Sequence, residues 1–383
     1  MKTAFTRWAM LPVLSLLAFN LNAAYLESDS GSPLQPRVRI EPSQRIMPPH
    51  RDGGNALTRL VQRIEVGTPY SYRGLTVFPL ELRSGFRPSD LLTLDDAISR
   101  DALVVREKGS GEVPVLLVRN DAPRPVFLMS GEIVLGGKQN RLIRDDTLLP
   151  PRSGFTEIAV YCGEQGRWTG PEPVFKSAPG VAAPALRELA AKSASQDGIW
   201  REIDGQLDRA AVRSPTRSYH QIYEDREAQR RLDECVRELQ RCCGRETVGC
   251  VMVIGGRLRG CDLFSDPSVF ARLWEKICRS YGTEVVFGPV YRDWDRESRG
   301  RDWSPGVGRE DVRRFVDRCL SASFSSRSTP GIGELLNISG PVTGNVLVHD
   351  EAVVHAALFS DAVEIRPPPP RPIPPEPRPM WRE

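Results

Sequence analysis

Residues 130–168 read SGEIVLGGKQNRLIRDDTLLPPRSGFTEIAVYCGEQGRW, and the architecture divides at their end. Up to Trp168 the apolar residues fall in short, β-prone runs, among them Val126 to Leu135 and Thr156 to Tyr161, which read as strands. After Trp168 they recur at helical spacing. Beside the strand-like runs lie Glu132, Lys138, Gln139, Asn140, Arg141, Glu164 and Arg167, a density of polar chemistry that marks the candidate site.

Toward the N-terminus, Leu75 to Leu82, Ala102 to Arg106 and Val113 to Arg119 read as further strands, and Thr93 with Asp96 three residues later caps a short helix. Toward the C-terminus, Pro184 to Ala194, Gly198 to Ala210 and Tyr219 to Cys242 have helical spacing, the last amphipathic through Ile222, Leu232, Val236 and Leu239. Gly249 to Ile254 is an apolar strand. Asp266 as N-cap and Pro267 at the first helical position start the clearest helix, which buries Phe270, Leu273, Trp274 and Ile277 and stops at Gly282. Between that strand and helix, Gly255 to Phe264 holds three glycines, an arginine pair and Asp262, and reads as a strand-turn-helix connection. A helix from about Glu310 to Leu320 follows, then Asn345 to Val348 and Ala352 to Phe359 as a hairpin. The expected fold is α+β: a β-rich N-terminal half, then a helix-rich C-terminal half with a closing hairpin.

Both ends read differently from this domain. Lys2 and Arg7 precede an apolar run from Trp8 to Leu21, and the small residues Ala23 and Ala24 follow, the pattern of a secretory signal peptide over residues 1–24. The run is shorter than the roughly 20 apolar residues a span needs. The mature chain is thus expected to be exported, periplasmic or extracellular, without a transmembrane span after cleavage. Residues 25–56, rich in Pro, Ser and charge, read as a disordered leader; residues 57–365 read as a single domain. Residues 366–383 carry proline at a density that holds polyproline II. They form a stiff tail, or a segment that contacts a proline-recognition partner or the cell wall.

A net charge of +3 over 383 residues excludes a dedicated nucleic-acid binder, since Arg-rich patches such as Arg226 to Arg231 are mixed with acid. Of 52 basic residues only Lys2, Lys108, Lys138, Lys176, Lys192 and Lys276 are lysines, so Lys138 inside the polar cluster stands out as a compact point charge. The cysteines are Cys162, Cys235, Cys242, Cys243, Cys250, Cys261, Cys278 and Cys319, with no CxxC pair to suggest zinc or thioredoxin chemistry. An oxidising compartment favours at least one disulfide in the C-terminal half. Adjacent Cys242 and Cys243 are expected to pair with other partners, because a vicinal ring is strained. Cys235 and Cys278 lie on apolar helix faces and read as buried thiols.

Four segments carry a family resemblance: GEIVLGGKQNR (131–141), CGEQGRW (162–168), VMVIGGRLRGCDLFSDPSVFARLWEKICRSYG (251–282) and GIGELLNISGPVTGNVLVHDEAVVHAALF (331–359). Together they resemble the ARG and rhodanese-phosphatase-superfamily-associated protein domain, a bacterial family of uncharacterised biochemistry, across roughly residues 57 to 360. The chain departs from that family's pattern at Gly163, where an apolar residue is typical. The association with ADP-ribosylglycohydrolases and rhodanese-type phosphatases implies nucleotide or ADP-ribose chemistry.

From the residues themselves, Glu132 is a candidate general base, metal ligand or hydroxyl acceptor, or closes an ion pair with Arg141 or Lys138. Gly136 and Gly137 would let backbone N–H groups approach an anion, with Lys138, Gln139, Asn140, Arg141 and Arg167 supplying charge and hydrogen bonds; the alternative is a decorated hairpin turn. Trp168 would stack a base or sugar, or form a core edge. His50, His220, His349 and His355 are the only histidines, and His355 could reach the site from the final hairpin, as base to Cys162 or as a metal ligand with Glu132 and Glu164. No known nucleophile, metal or cofactor motif, Walker loop included, is complete, and any cofactor is left open. Three readings follow: a binding module for an anionic small molecule or partner; a hydrolase on a phosphate- or sugar-containing substrate with Glu132 or Glu164 as acid/base; or a purely architectural polar cluster whose buried ion pairs fix a β-rich core.

Overall fold

A computed structural model describes residues 45–46, 55–85, 88–109, 111–168, 175–288 and 306–360. The signal peptide and proline-rich tail expected from the sequence, and the leader apart from residues 45–46 and 55–56, lie outside the described residues.

The strands in chain order are β1 (Arg45–Ile46), β2 (Glu65–Val66), β3 (Tyr70–Tyr72), β4 (Leu75–Glu81), β5 (Leu92–Thr93), β6 (Leu103–Glu107), β7 (Val115–Asn120), β8 (Val126–Leu128), β9 (Glu132–Leu135), β10 (Arg141–Ile143), β11 (Thr147–Leu149), β12 (Thr156–Cys162), β13 (Lys176–Val181), β14 (Thr247–Ile254), β15 (Arg257–Leu263), β16 (Ser323–Arg327), β17 (Glu334–Ser339), β18 (Thr343–His349) and β19 (Ala352–Phe359). The helices are α1 (Ala56–Val61), α2 (Leu94–Ser99), α3 (Pro184–Ala191), α4 (Gln196–Ala210), α5 (Gln221–Glu224), α6 (Arg226–Leu239), α7 (Pro267–Val286) and α8 (Arg309–Asp317). The fold is α+β, strand-dominated before Trp168, helix-dominated after it, and ends in paired strands.

One sheet has the order β1-β16-β17-β18-β19-β15-β14-β4-β2, with β3 also on β4; a second runs β13-β9-β10-β12-β7-β6, and a third is β11-β8-β5. Both faces of the first sheet are covered, so its central strands lack a polar side. Along β14, Cys250, Met252 and Ile254 face a core shared with α3, α4, α6 and α7, while Val251 and Val253 face a second core with α1 and α8. This is the two-residue period with both faces apolar.

Local chemistry sets the boundaries. Thr93 and Asp96 exchange hydrogen bonds as a capping box for α2. Asp266 caps α7 by accepting from Ser268 N, with Pro267 at the first helical position. That helix continues past Gly282 to Val286, because Gly282 lies in its interior where Leu232 and Cys235 of α6 pack closely. The stretch expected as one helix from Tyr219 divides at Asp225, which turns extended and caps α6 through Glu227 N and Ala228 N. Val126 to Leu135 likewise divides into β8 and β9 at Gly131, with φ +86°. Gly255 to Phe264, expected to lead into a helix, instead forms a hairpin. Gly255 and Gly256, both at positive φ, make a two-residue turn that returns the chain as β15 on β14. That pairing brings Asp262 into the middle of the large sheet.

Candidate functional site

Apart from Glu132, the polar residues singled out in the opening stretch form a closed network where β9, β10 and β12 meet. The β9–β10 turn passes through Gly136 and Gly137, at φ +133° and +56°, and a Cβ at Gly137 would lie 2.6 Å from a Glu107 carboxylate oxygen. Glycine there lets Glu107 come close, and that carboxylate accepts from Lys138 N at 3.0 Å. A second carboxylate, Glu164, accepts from Asn140 N at 3.2 Å. Asn140 Oδ1 accepts from Gly136 N and from Arg167, while Arg167 also donates to Gly137 O and is ion-paired with Glu164 at 2.9 Å. Two carboxylates of the protein therefore take backbone donors of the turn. Gln139 accepts from the fully buried Arg141, whose guanidinium also reaches Glu107 and Cys162 Sγ.

At the outer edge of this network the Lys138 ammonium stands 5.3 Å from the centre of the Trp168 ring. Trp168 is 44% exposed, which leaves much of the indole open. The network is tied below to the 214–219 turn: Gln165 N and Gly166 N donate to Thr216 O, and Asn140 Nδ2 donates to Ser218 Oγ. That turn borders a groove of about 590 Å³ lined by Asp208, Arg213, Ser214, Pro215 and Arg217 among others. Arg217 is paired with Asp204 and Asp208. A second groove, of about 470 Å³, lies against α6 and α7 among Arg230, Asp233, Arg237, Glu275 and Arg279. None of the candidate site residues named from the sequence lines either groove.

Glu132 belongs to a different network. It is fully buried at the start of β9; one oxygen accepts from Met129 N and the other from Lys276 Nζ at 2.8 Å. Its ion-pair partner is therefore Lys276 of α7, not Arg141 or Lys138. Lys276 also donates to Asp95 of α2 and to Ser177 of β13. Burial pushes the Glu132 carboxyl above its ordinary range despite the ammonium, with the nearby Asp95 charge adding to the rise. On Lys276 burial acts against the charge, but two carboxylates raise its pKa.

His355 of β19 sits in a third network, and here the sequence pointed to one member of four. Its Nδ1 lies 2.7 Å from Asp146 Oδ2 and its Nε2 lies 3.0 Å from Asp262 Oδ1, all three side chains fully buried. Asp262 also takes a two-pronged contact from the guanidinium of Arg187 on α3, and Asp146 accepts from Ser130 N. Phe264 stacks on the imidazole at 4.6 Å. Burial opposes a charged imidazole, but Asp146 and Asp262 raise its pKa to about 9. Asp262 is likewise penalised by burial yet held well below the ordinary carboxylate range by Arg187 and His355. The four form alternating charges, Asp146, His355, Asp262, Arg187, between the large sheet and α3.

Glu132, Glu164 and His355 thus occupy three separate networks. Among the described residues, no group of three His, Cys, Asp or Glu side chains is placed to hold a metal. Cys162 is not matched to His355: its sulphur accepts from Arg141, and burial raises its pKa to about 11, which keeps it a thiol. Sequence reasoning missed Glu107, Asp146, Arg187 and Lys276 and read Asp262 as part of a connection. Two signals were present: the acidic pair Asp145–Asp146 between strand-like runs, and one of six lysines on the apolar face of α7 between Leu273 and Ile277.

The chain belongs to the family described as the ARG and Rhodanese-Phosphatase-superfamily-associated Protein domain, whose model matches residues 63–359. No curated protein and no solved structure matches the chain. Membership is consistent with binding or acting on an anionic ligand, and it assigns no catalytic residue.

Proposed function

We propose that the protein is an exported binding module for an anionic ligand of nucleotide, ADP-ribose or other phosphate-bearing type. The observation that carries this reading is the Lys138 ammonium held 5.3 Å from the open ring of Trp168. An ammonium beside an indole offers a charge to a phosphate and a plane to a base or sugar. The glycine turn, with Gln139, Asn140, Arg141 and Arg167, then acts as a rigid frame, since its donors are engaged with one another and with Glu107 and Glu164. Export rests on the composition of residues 1–24 alone.

The test is a thermal-shift screen of the chain lacking residues 1–24 against nucleotides, ADP-ribose and sugar phosphates. A ligand that binds only the native state raises its melting temperature with concentration. The expected result is such a shift for at least one phosphate-bearing compound, lost in Lys138→Gln and Trp168→Ala with the unliganded melting temperature close to that of the wild type. No shift in the screen, or equal shifts in both variants, rejects the reading. A hydrolase with Glu132 or Glu164 as acid/base is the second reading; burial raises the Glu132 carboxyl pKa, but that side chain is closed to solvent and paired with Lys276, so this reading is the weaker. It predicts product formation by the wild type that is abolished in Glu132→Gln or Glu164→Gln, with the ligand still bound.

A further inference from the structure

Five of the eight cysteines gather at one place. Cys235 on α6, Cys250 on β14 and Cys278 on α7 belong to the core shared by those elements, and Cys242 and Cys243, just beyond α6, pack against it. The Cys278 thiol is hydrogen-bonded with Cys235. The sulphurs of Cys242 and Cys243 are 3.3 Å apart. These two are also the partly exposed cysteines; the other six are buried. Cys242 ends a short 3-10 turn and Cys243 is already extended, at φ −113° and ψ 127°, so the peptide joining them lies where helical geometry is released.

We propose that Cys242 and Cys243 are a reversible thiol–disulfide exchange site, which takes a disulfide of the glutathione or protein type as oxidant. The thiolate of one of the pair attacks one sulphur of the incoming disulfide, and the other sulphur leaves as a thiol. The second cysteine then gives up its proton and attacks the Sγ of the first, expelling the second thiol. Two protein thiols are oxidised by two electrons and one disulfide is reduced to two thiols. The sulphurs must approach from 3.3 Å to a bond of about 2.05 Å. A ring between adjacent residues is strained and is therefore reduced more readily than a structural disulfide, which makes the site a switch.

The chain permits a direct test. Trypsin cuts after Arg241 and Arg245 and releases residues 242–245, which contain Cys242 and Cys243 and no other cysteine. The full chain is equilibrated with glutathione buffers of rising oxidised fraction, quenched in acid, alkylated with N-ethylmaleimide in denaturant, digested and weighed. The expected product is the peptide lighter by two hydrogens and free of maleimide, converted by reduction to the doubly alkylated form. A doubly alkylated peptide at every oxidised fraction overturns the proposal. So does a cross-link to the peptides that carry Cys235, Cys250 or Cys278. In Cys242→Ser and in Cys243→Ser the ring cannot close, and the expected product is glutathione trapped on the remaining cysteine; a remaining cysteine left unmodified in both variants overturns the proposal.

Discussion

Two polar regions of this molecule differ in where their charges end. In the β9–β10 turn, Glu107, Glu164, Arg167 and Asn140 close a network at the surface, with Lys138 and Trp168 at its edge. Between the large sheet and α3, Asp146, His355, Asp262 and Arg187 close theirs out of solvent. The first network is built mostly from one turn and the 164–167 segment after β12, with Glu107 entering from β6 and Ser218 from beyond α4. The second is assembled by the tertiary fold, from residues as far as 209 positions apart. Solvent can reach Arg167 and replace its lost partner in the first, whereas in the second a lost partner leaves a charge with nothing to screen it. The regions should therefore respond to substitution in opposite ways: the turn through binding, the buried quartet through stability.

The largest expected effect is at Arg187. Arg187→Met keeps apolar volume but leaves Asp262 facing only His355, and stripping one partner from a buried pair costs about 3–5 kcal/mol. Urea denaturation of the variant measures it. A loss below about 1 kcal/mol would place the quartet with exposed pairs and remove the contrast.

Next comes the pH response of His355. Its ordinary pKa of 6.5 is raised to about 9 in the fold. The folded state holds the proton more tightly, so the contribution to stability is complete below pH 6.5 and is lost as pH rises through 9. The difference corresponds to about 3 kcal/mol. Unfolding free energies measured across that window should fall toward alkaline pH in the wild type, and the His355 part of that slope should vanish in His355→Gln. A slope equal in both proteins would show that the imidazole is not charged by its two carboxylates.

Glu164→Gln tests the turn network from within and should cost less. The amide keeps an acceptor for Asn140 N but loses the ion pair with Arg167, which is 25% exposed and can be resolvated. A loss of about 1–2 kcal/mol is expected in the same denaturation assay. A loss as large as that of Arg187→Met would mean that both networks are core structure.

The same distinction explains what could be read in the sequence. The α7 start was legible because Asp266 and Pro267 act within one turn, and β14 because its apolar run is local. The polar turn was legible as chemistry because its residues are neighbours. Its internal pairing was not, since Glu107 enters from β6 and Ser218 from beyond α4. The quartet was hidden for the same reason: Asp262 reads as one acid in a glycine-rich connection until the Gly255–Gly256 turn folds it onto β14, next to β19. β16 was hidden because SFSSR has little apolar alternation, and its place comes from main-chain pairing with β17.

The smallest expected effect on stability is at the edge of the turn. Lys138→Gln removes an ammonium over a half-open indole, a contact worth about 0.5–1 kcal/mol where exposed. Trp168→Ala removes a ring already 44% exposed. Melting temperatures should stay close to that of the wild type, because Glu107, Asn140, Glu164 and Arg167 still hold the turn. Affinity for a phosphate-bearing ligand, measured by calorimetry, should then fall in both variants without a stability change. A variant that unfolds early would make Lys138 or Trp168 part of the frame. One that keeps full affinity would move the ligand elsewhere, and the groove carrying Arg213 would be the next place to substitute.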